Sequence, residues 1–121
     1  MSLAAVRDLR GLRREATAEE LAEFETDVMA GFVLARAAAG MADTSIGNDL
    51  VDLEQIREWF GAPLWEMQPS HADEYLGKVL RNSAPATRHG KAGTLSLFFD
   101  YLELRHKAEI YNLTGIVVEC P

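Results

Sequence analysis

Arg88 and Lys91 are the cations of this chain whose positions suggest binding chemistry. Three residues apart, they lie about 60° apart on a helix that turns roughly 100° per residue. Pro85, just before them, suits the first position of a helix, where free amides and the helix dipole attract anions. This arrangement is typical of a phosphate site, although solvated cations that pair with acids of other helices would give the same pattern.

The same helix carries an apolar stripe formed by Leu95, Phe98 and Leu102. Arg88 and Lys91 continue this stripe towards the start of the helix. We therefore expect the later turns to pack in a hydrophobic core, with Phe98 at its centre, and the first turns to project beyond it. Both cations would then face solvent or a ligand.

Two glycines, Gly90 and Gly93, interrupt these first turns. Each costs roughly 1 kcal/mol relative to alanine inside a helix. Their presence predicts that another group approaches the backbone closely, either a neighbouring helix or a phosphate.

Further cations lie at two places. Lys78 and Arg81 end a predicted third helix, where they favour the C-terminal dipole and could also reach a phosphate. The N-terminal segment carries four more, which form either a basic arm on DNA or a solvated tail: Arg7, Arg10, Arg13 and Arg14.

The residue pattern does not indicate a catalytic site or a metal site. Cys120 is the only cysteine, so neither an internal disulfide nor a cysteine-based zinc site is expected. His71, His89 and His106 are far apart, and we expect them to be exposed or to cap helices. We find no catalytic triad and no phosphate-binding loop, so no cofactor and no metal are predicted.

The length of 121 residues fits one domain, and 48% hydrophobic residues are enough for a core. The net charge of −7 is unevenly distributed, because residues 18–80 carry thirteen acids against three bases. No apolar run is long enough for a membrane span and no signal-peptide core is present, so we expect a cytoplasmic protein.

Helix signals divide the chain into four or five segments. A capping box at Thr17 and Glu20 opens the first helix, which runs to about Ala38 before Gly40. Thr44 or Ser45 is predicted to cap the second helix, which Gly61 ends.

The third and fourth helices each open at a proline. The third starts at Pro69, and its predicted buried side comprises Ala72, Tyr75, Leu76 and Val79, with Leu80 beside them. The fourth starts at Pro85 and continues to about Leu113, either straight or broken near Arg105.

The predicted fold is an all-α, single-domain bundle of four to five helices, since no strand and helix alternation is present. We expect a flexible basic arm at residues 1–16, a helical domain at 17–115, and an extended linker from residue 116 to 121.

The order of three sequence pieces resembles a known family, the N-terminal core-binding (SAM-like) domain of tyrosine recombinases and phage-type integrases. The pieces are Thr44-Ser45-Ile46 leading to Glu58-Trp59-Phe60-Gly61; Met67-Gln68-Pro69 followed by Asp73-Glu74-Tyr75-Leu76; and Ser83-Ala84-Pro85-Ala86-Thr87-Arg88 before Phe98-Phe99-Asp100-Tyr101-Leu102. They span about half of the chain closely.

This resemblance implies a non-catalytic module that clamps double-stranded DNA at a recombination core site. A separate C-terminal domain of the same parent protein would hold the tyrosine nucleophile, and self-association would occur on DNA. By the same resemblance, DNA contacts would come from the second and fourth helices: Ser45, Asn48, Thr87, Arg88 and Lys91.

A helical protein-interaction module is the alternative function. It would use an acidic face of the first helix, formed by Glu19, Glu20, Glu23, Glu25 and Asp27. A solvated face without a partner would look the same, and a free-standing enzyme ranks third.

Overall fold

The computed structural model describes residues 16–119, and these form an all-α bundle of five helices without a strand. The helices are α1 (Ala18–Ala38), α2 (Asp43–Phe60), α3 (Pro69–Glu74), α4 (Pro85–Arg105) and α5 (Lys107–Thr114). A 3-10 turn, Leu64–Glu66, precedes α3, and a π-helical turn, Tyr75–Val79, continues it. The predicted fold class is confirmed. Residues 1–15 of the arm predicted at 1–16 lie outside the described residues.

The helix ends follow local signals with one exception. Thr17 caps α1 through its side chain, which accepts a hydrogen bond from the Glu20 amide at 3.1 Å, as predicted. The prediction that Thr44 or Ser45 caps α2 is wrong, because the cap residue is Ala42 and makes no side-chain bond. Asp43 instead supplies negative charge to the first turn, where the helix dipole favours it.

The third helix starts at Pro69 as predicted but widens after Glu74. In the π-helical turn the Leu80 amide donates to the Tyr75 carbonyl, five residues earlier, at 2.9 Å. This wider turn includes Val79 and departs from the α-helical period of about 3.6 residues that the prediction assumed. Val79, predicted to be buried, is therefore 47% exposed, whereas Ala72 and Tyr75 are buried as expected.

Phe98 lies at the junction of several helices, as its place in the apolar stripe predicts, and is 2% exposed. Its ring meets that of Phe32 of α1 edge-on at 5.3 Å. Trp65 of the 3-10 turn and Leu53 of α2 belong to the same core. The fourth helix breaks at His106, which separates α4 from α5.

Gly31 of α1 lies against the side chain of Tyr101 of α4. A side chain there would collide with the hydroxyl group of Tyr101. At Gly90 and Gly93 the predicted approach of a neighbouring helix is wrong, because a Cβ atom at either would meet no atom of the described residues within 4 Å. The predicted alternative, a phosphate at these glycines, stays a prediction. Among these glycines, the close contact between helices is thus at Gly31 of α1.

The extended segment after α5 belongs to the packed domain. Residues 116–118 have no helical or strand structure, as predicted, yet Val118 is completely buried and Ile116 packs on the core. Val118 thus fills part of the hydrophobic interior, although it lies beyond residue 115, where the predicted helical domain ends.

Within residues 16–119, we find no helix whose length and hydropathy would allow it to cross a membrane.

Candidate nucleic-acid interface

Lys91 forms a buried ion pair between α4 and α2. Its Nζ lies 3.0 Å from Asp52 Oδ1 and also donates to Gln55 Oε1. The residue is only 6% exposed. The prediction that Lys91 projects beyond the core is therefore wrong. The stripe of α4 that contains Lys91 packs against α2, and the side chains of α2 at this point are polar.

The ion pair is part of a network that we call the polar seam, formed by Arg36, Asp49, Asp52, Gln55, Lys91 and Thr94. The Thr94 hydroxyl lies 3.3 Å from Asp49 Oδ1 and 3.2 Å from Asp52 Oδ2. Arg36 of α1 approaches Asp49 Oδ2 at 3.5 Å. Two cations thus face two carboxylates, so the seam has no net formal charge.

The polar seam also shows that α2 and α4 run in opposite directions. Thr94 contacts Asp49, whereas Lys91, earlier in α4, contacts Gln55, later in α2. The residues predicted to contact DNA therefore lie at opposite ends of the seam on the two helices. At a rise of about 1.5 Å per residue, these two groups are separated by roughly 10–15 Å. Asn48 is exposed and Ser45 is half-buried at one end; the other end leads to Thr87 and Arg88.

Four of the predicted DNA-contacting residues lie on the stretch of chain from the π-helical turn to the first turns of α4, which we call the α3–α4 corner: Lys78, Arg81, Thr87 and Arg88. Lys78, Arg81 and Thr87 are exposed, and Arg88 is half-buried. Ser45 and Asn48 lie at the far end of the seam, and Lys91 is buried.

The start of α4 at this corner has no side-chain cap, because Ala84 makes no side-chain hydrogen bond there. Pro85 has no amide hydrogen and the Thr87 amide donates to the Ala84 carbonyl at 3.0 Å, so this helix start offers few free amides to an anion. The Nε atom of Arg88 is buried and has no hydrogen-bond partner. Arg88 also lines a surface groove of about 470 Å³ between α4 and the π-helical turn, together with Asp73, Leu76, Gly77, Pro85, His89 and Ala92. Asp73 brings one carboxylate to this groove.

A second cross-helix ion pair removes one residue from the predicted acidic face. Arg57 of α2 donates to both carboxylate oxygens of Glu25, at 2.7 and 3.2 Å. The hydrogen bond with Glu25 raises the pKa of the Arg57 guanidinium. Glu20 serves the capping box. The exposed acids of α1 are thus Glu19, Glu23 and Asp27, each one turn from the next.

Two of the three histidines have structural partners, and His89 is exposed. His71 accepts a hydrogen bond from the Gln68 amide at 2.9 Å and so caps α3, as expected. His106 lies between the Tyr101 hydroxyl, 2.9 Å from Nε2, and Glu109, 3.0 Å from Nδ1. Burial raises the pKa of Tyr101, and Arg105 opposes this only in part. The neutral hydroxyl of Tyr101 is therefore the stable form.

Among residues 16–119, no group of three or more histidine, cysteine, aspartate or glutamate residues could hold a metal ion. Comparison of the chain with protein-family models, curated proteins and solved structures returns no match.

Sequence reasoning missed the polar seam, although α2 contains a signal for it. Asp49, Asp52 and Gln55 recur at intervals of three residues and form a polar stripe along α2. This stripe alone did not identify the α4 residues that it faces.

Proposed function

We propose that this chain is a non-catalytic module that binds double-stranded DNA. In this proposal it is the core-binding domain of an integrase-like tyrosine recombinase, which clamps the recombination core site. A C-terminal catalytic domain of the same parent protein would carry the reaction. The observation that carries the proposal is the α3–α4 corner, where the cations Lys78 and Arg81 precede and Arg88 follows the start of α4, in a molecule whose net charge is −7.

The corner is suited to phosphate rather than to base recognition. Long cationic side chains bind phosphate oxygens without reading sequence. Thr87 adds a hydroxyl donor in the first turn of α4. We therefore expect this surface to set the position of the module on the duplex.

The polar seam allows a duplex to approach the neighbouring surface. Asp49 and Asp52 would repel phosphates if they were unpaired, but Arg36 and Lys91 compensate their charge. A duplex that contacts the corner can then extend towards Asn48 and Ser45 at the far end of the seam. Lys91 acts here by neutralising Asp52, not by contacting a phosphate.

A salt titration tests the proposal. If Lys78, Arg81 and Arg88 each reach one phosphate, log K should fall against log salt concentration with a slope of about −2.7, from about −0.9 per phosphate. Fluorescence anisotropy of a labelled duplex measures this slope. Lys78→Gln with Arg81→Gln should reduce its magnitude by about 1.8.

Arg105→Gln with Lys107→Gln is the charge-matched control. Both residues are exposed and lie about 30 Å from the start of α4, the length of that helix. This control should leave the slope unchanged. Equal slopes of log K against log salt for the two double variants would show that only the net charge affects binding. The corner would then not be part of the interface.

The proposal also predicts that the isolated chain cleaves no DNA. The test incubates it with supercoiled plasmid that carries a candidate core site and looks for a covalent protein–DNA product. Formation of such a product would contradict the assignment of catalysis to another domain.

The alternative function is a protein-interaction module that binds a basic segment of a partner. Its support is a surface groove of about 370 Å³ on α1, lined by Glu19, Ala22, Glu23, Thr26 and Asp27. Glu19 lies in the first turn, where the helix dipole favours an acid, but Glu23 and Asp27 are like charges one turn apart, which destabilise an isolated helix and are not explained by helix stability. Failure to bind DNA even at low salt, with NMR shifts at Glu23 on addition of a basic peptide, would favour this function.

A further inference from the structure

An apolar cavity of about 80 Å³ lies inside the bundle, enclosed by α1, α2, α4 and the 3-10 turn. It is separate from the α3–α4 corner and from the polar seam. Its walls are apolar side chains: Val28, Met29, Leu53, Leu64, Trp65 and Phe98.

Three charged side chains also line this cavity: Glu25, Glu54 and Arg57. Glu25 and Arg57 pair through two hydrogen bonds, at 2.7 and 3.2 Å, and so connect α1 to α2 beside the cavity. Both side chains remain partly exposed, at 24% for Glu25 and 37% for Arg57, so this side of the cavity borders solvent.

The cavity interior favours an apolar occupant over water. A buried water molecule needs two to four polar partners, and the six wall residues present almost none. Wall atoms that face a void also lack dispersion contacts, which an apolar molecule restores. Met29, whose side chain is unbranched, can adjust to the shape of an occupant.

The volume limits the size of the ligand. Cavities of roughly 150 Å³ lined by leucine, isoleucine and phenylalanine bind benzene or xenon. A cavity of about half that volume suits an uncharged molecule of a few heavy atoms.

We propose that this cavity is a binding site for a small, uncharged, apolar molecule that enters past the Glu25–Arg57 ion pair. The ligand contacts α1, α2, α4 and the 3-10 turn at once, so it stabilises their packing in proportion to its occupancy. This site does not depend on the DNA-binding proposal.

Xenon is the probe, applied under pressure to the full chain and followed by methyl NMR. We expect saturable shifts confined to methyl groups of the wall residues, among them Val28, Leu53 and Leu64. Shifts that grow linearly with pressure, or that spread evenly over the buried methyl groups, would overturn the proposal.

Two matched variants locate the site. Val28→Ile adds one carbon atom to the wall and should weaken xenon binding by about tenfold or more. Val118→Ile makes the same change at a buried valine outside the cavity and should leave binding unchanged. Equal weakening in both variants would overturn the assignment to this cavity. If Val28→Ile does not fold, the methyl shifts of the unmodified chain alone decide the question.

Discussion

Replacement of Lys91 by methionine tests the polar seam most directly. Methionine keeps an unbranched side chain that packs like the lysine stem, but it removes the charge and two hydrogen bonds, to Asp52 and Gln55. Asp52 then loses its cationic partner beside Asp49.

The size of the effect follows from burial. The Lys91 side chain is 8% exposed and that of Asp52 is 26% exposed. Breaking a fully buried ion pair costs about 3–5 kcal/mol, whereas an exposed pair contributes about 1 kcal/mol or less. Because Asp52 retains some contact with water, we expect Lys91→Met to lower the free energy of unfolding by about 2–3 kcal/mol.

Urea unfolding followed by circular dichroism measures this loss, and a double-mutant cycle isolates the pair. Lys91→Met in an Asp52→Asn background should cost about 1–2 kcal/mol less than in the unmodified chain. Arg105→Gln, an exposed loss of the same charge, is the control and should change stability by about 0.5 kcal/mol or less. A loss below about 0.5 kcal/mol for Lys91→Met, or no coupling with Asp52, would refute the structural role of the pair.

Four further outcomes are expected. Phe98→Ala should cost about 3–5 kcal/mol in urea melts, since Phe98 is 2% exposed, and a loss below about 1 kcal/mol would contradict its place in the core. Gly31→Ala should destabilise the chain, because the new side chain collides with the Tyr101 hydroxyl. In a Tyr101→Phe background the same substitution should be neutral or stabilise the chain by up to about 1 kcal/mol. An equal loss of stability in the two backgrounds would exclude the collision. Ultraviolet titration should show Tyr101 ionising above the ordinary tyrosine pKa of about 10. Because the raised pKa favours the neutral form in the folded state, the Tyr101 side chain stabilises the fold at pH values below the ordinary tyrosine pKa, and this contribution is lost as pH rises through the raised pKa. Tyr101→Phe should remove this pH dependence of the free energy of unfolding. An unchanged pH profile in that variant would refute the prediction. Gly90→Ala should stabilise α4 by about 0.5–1 kcal/mol, because a Cβ atom there meets nothing within 4 Å, and a loss would mean that the backbone needs glycine.

Local signals predicted most of the helices because each signal acts within one turn. The capping box at Thr17 and the proline at Pro85 satisfy or remove backbone donors at a helix start, whatever the rest of the chain does. The stripe that contains Phe98 has a single consistent spacing, so its buried side was clear.

The errors concern contacts between helices. Whether a cation at the end of a stripe meets solvent or a carboxylate depends on the helix opposite, and the spacing of Lys91 does not contain that information. The same holds for the two glycines. The cost of Gly90 in a helix suggested a neighbouring helix, which is absent from its surroundings among the described residues. The neighbour of Gly31 is Tyr101, which is 70 residues away in sequence. For the candidate site, charge and helix position indicated the α3–α4 corner, but not the burial of Lys91.

The burial of Val118 gives the chain a mechanical property. Tension applied to the backbone beyond this residue acts directly on a side chain seated in the hydrophobic core, not on a loose end. The first tertiary contact to yield under such a load is therefore a core contact. The backbone can act as a flexible tether no earlier than Glu119, which is exposed.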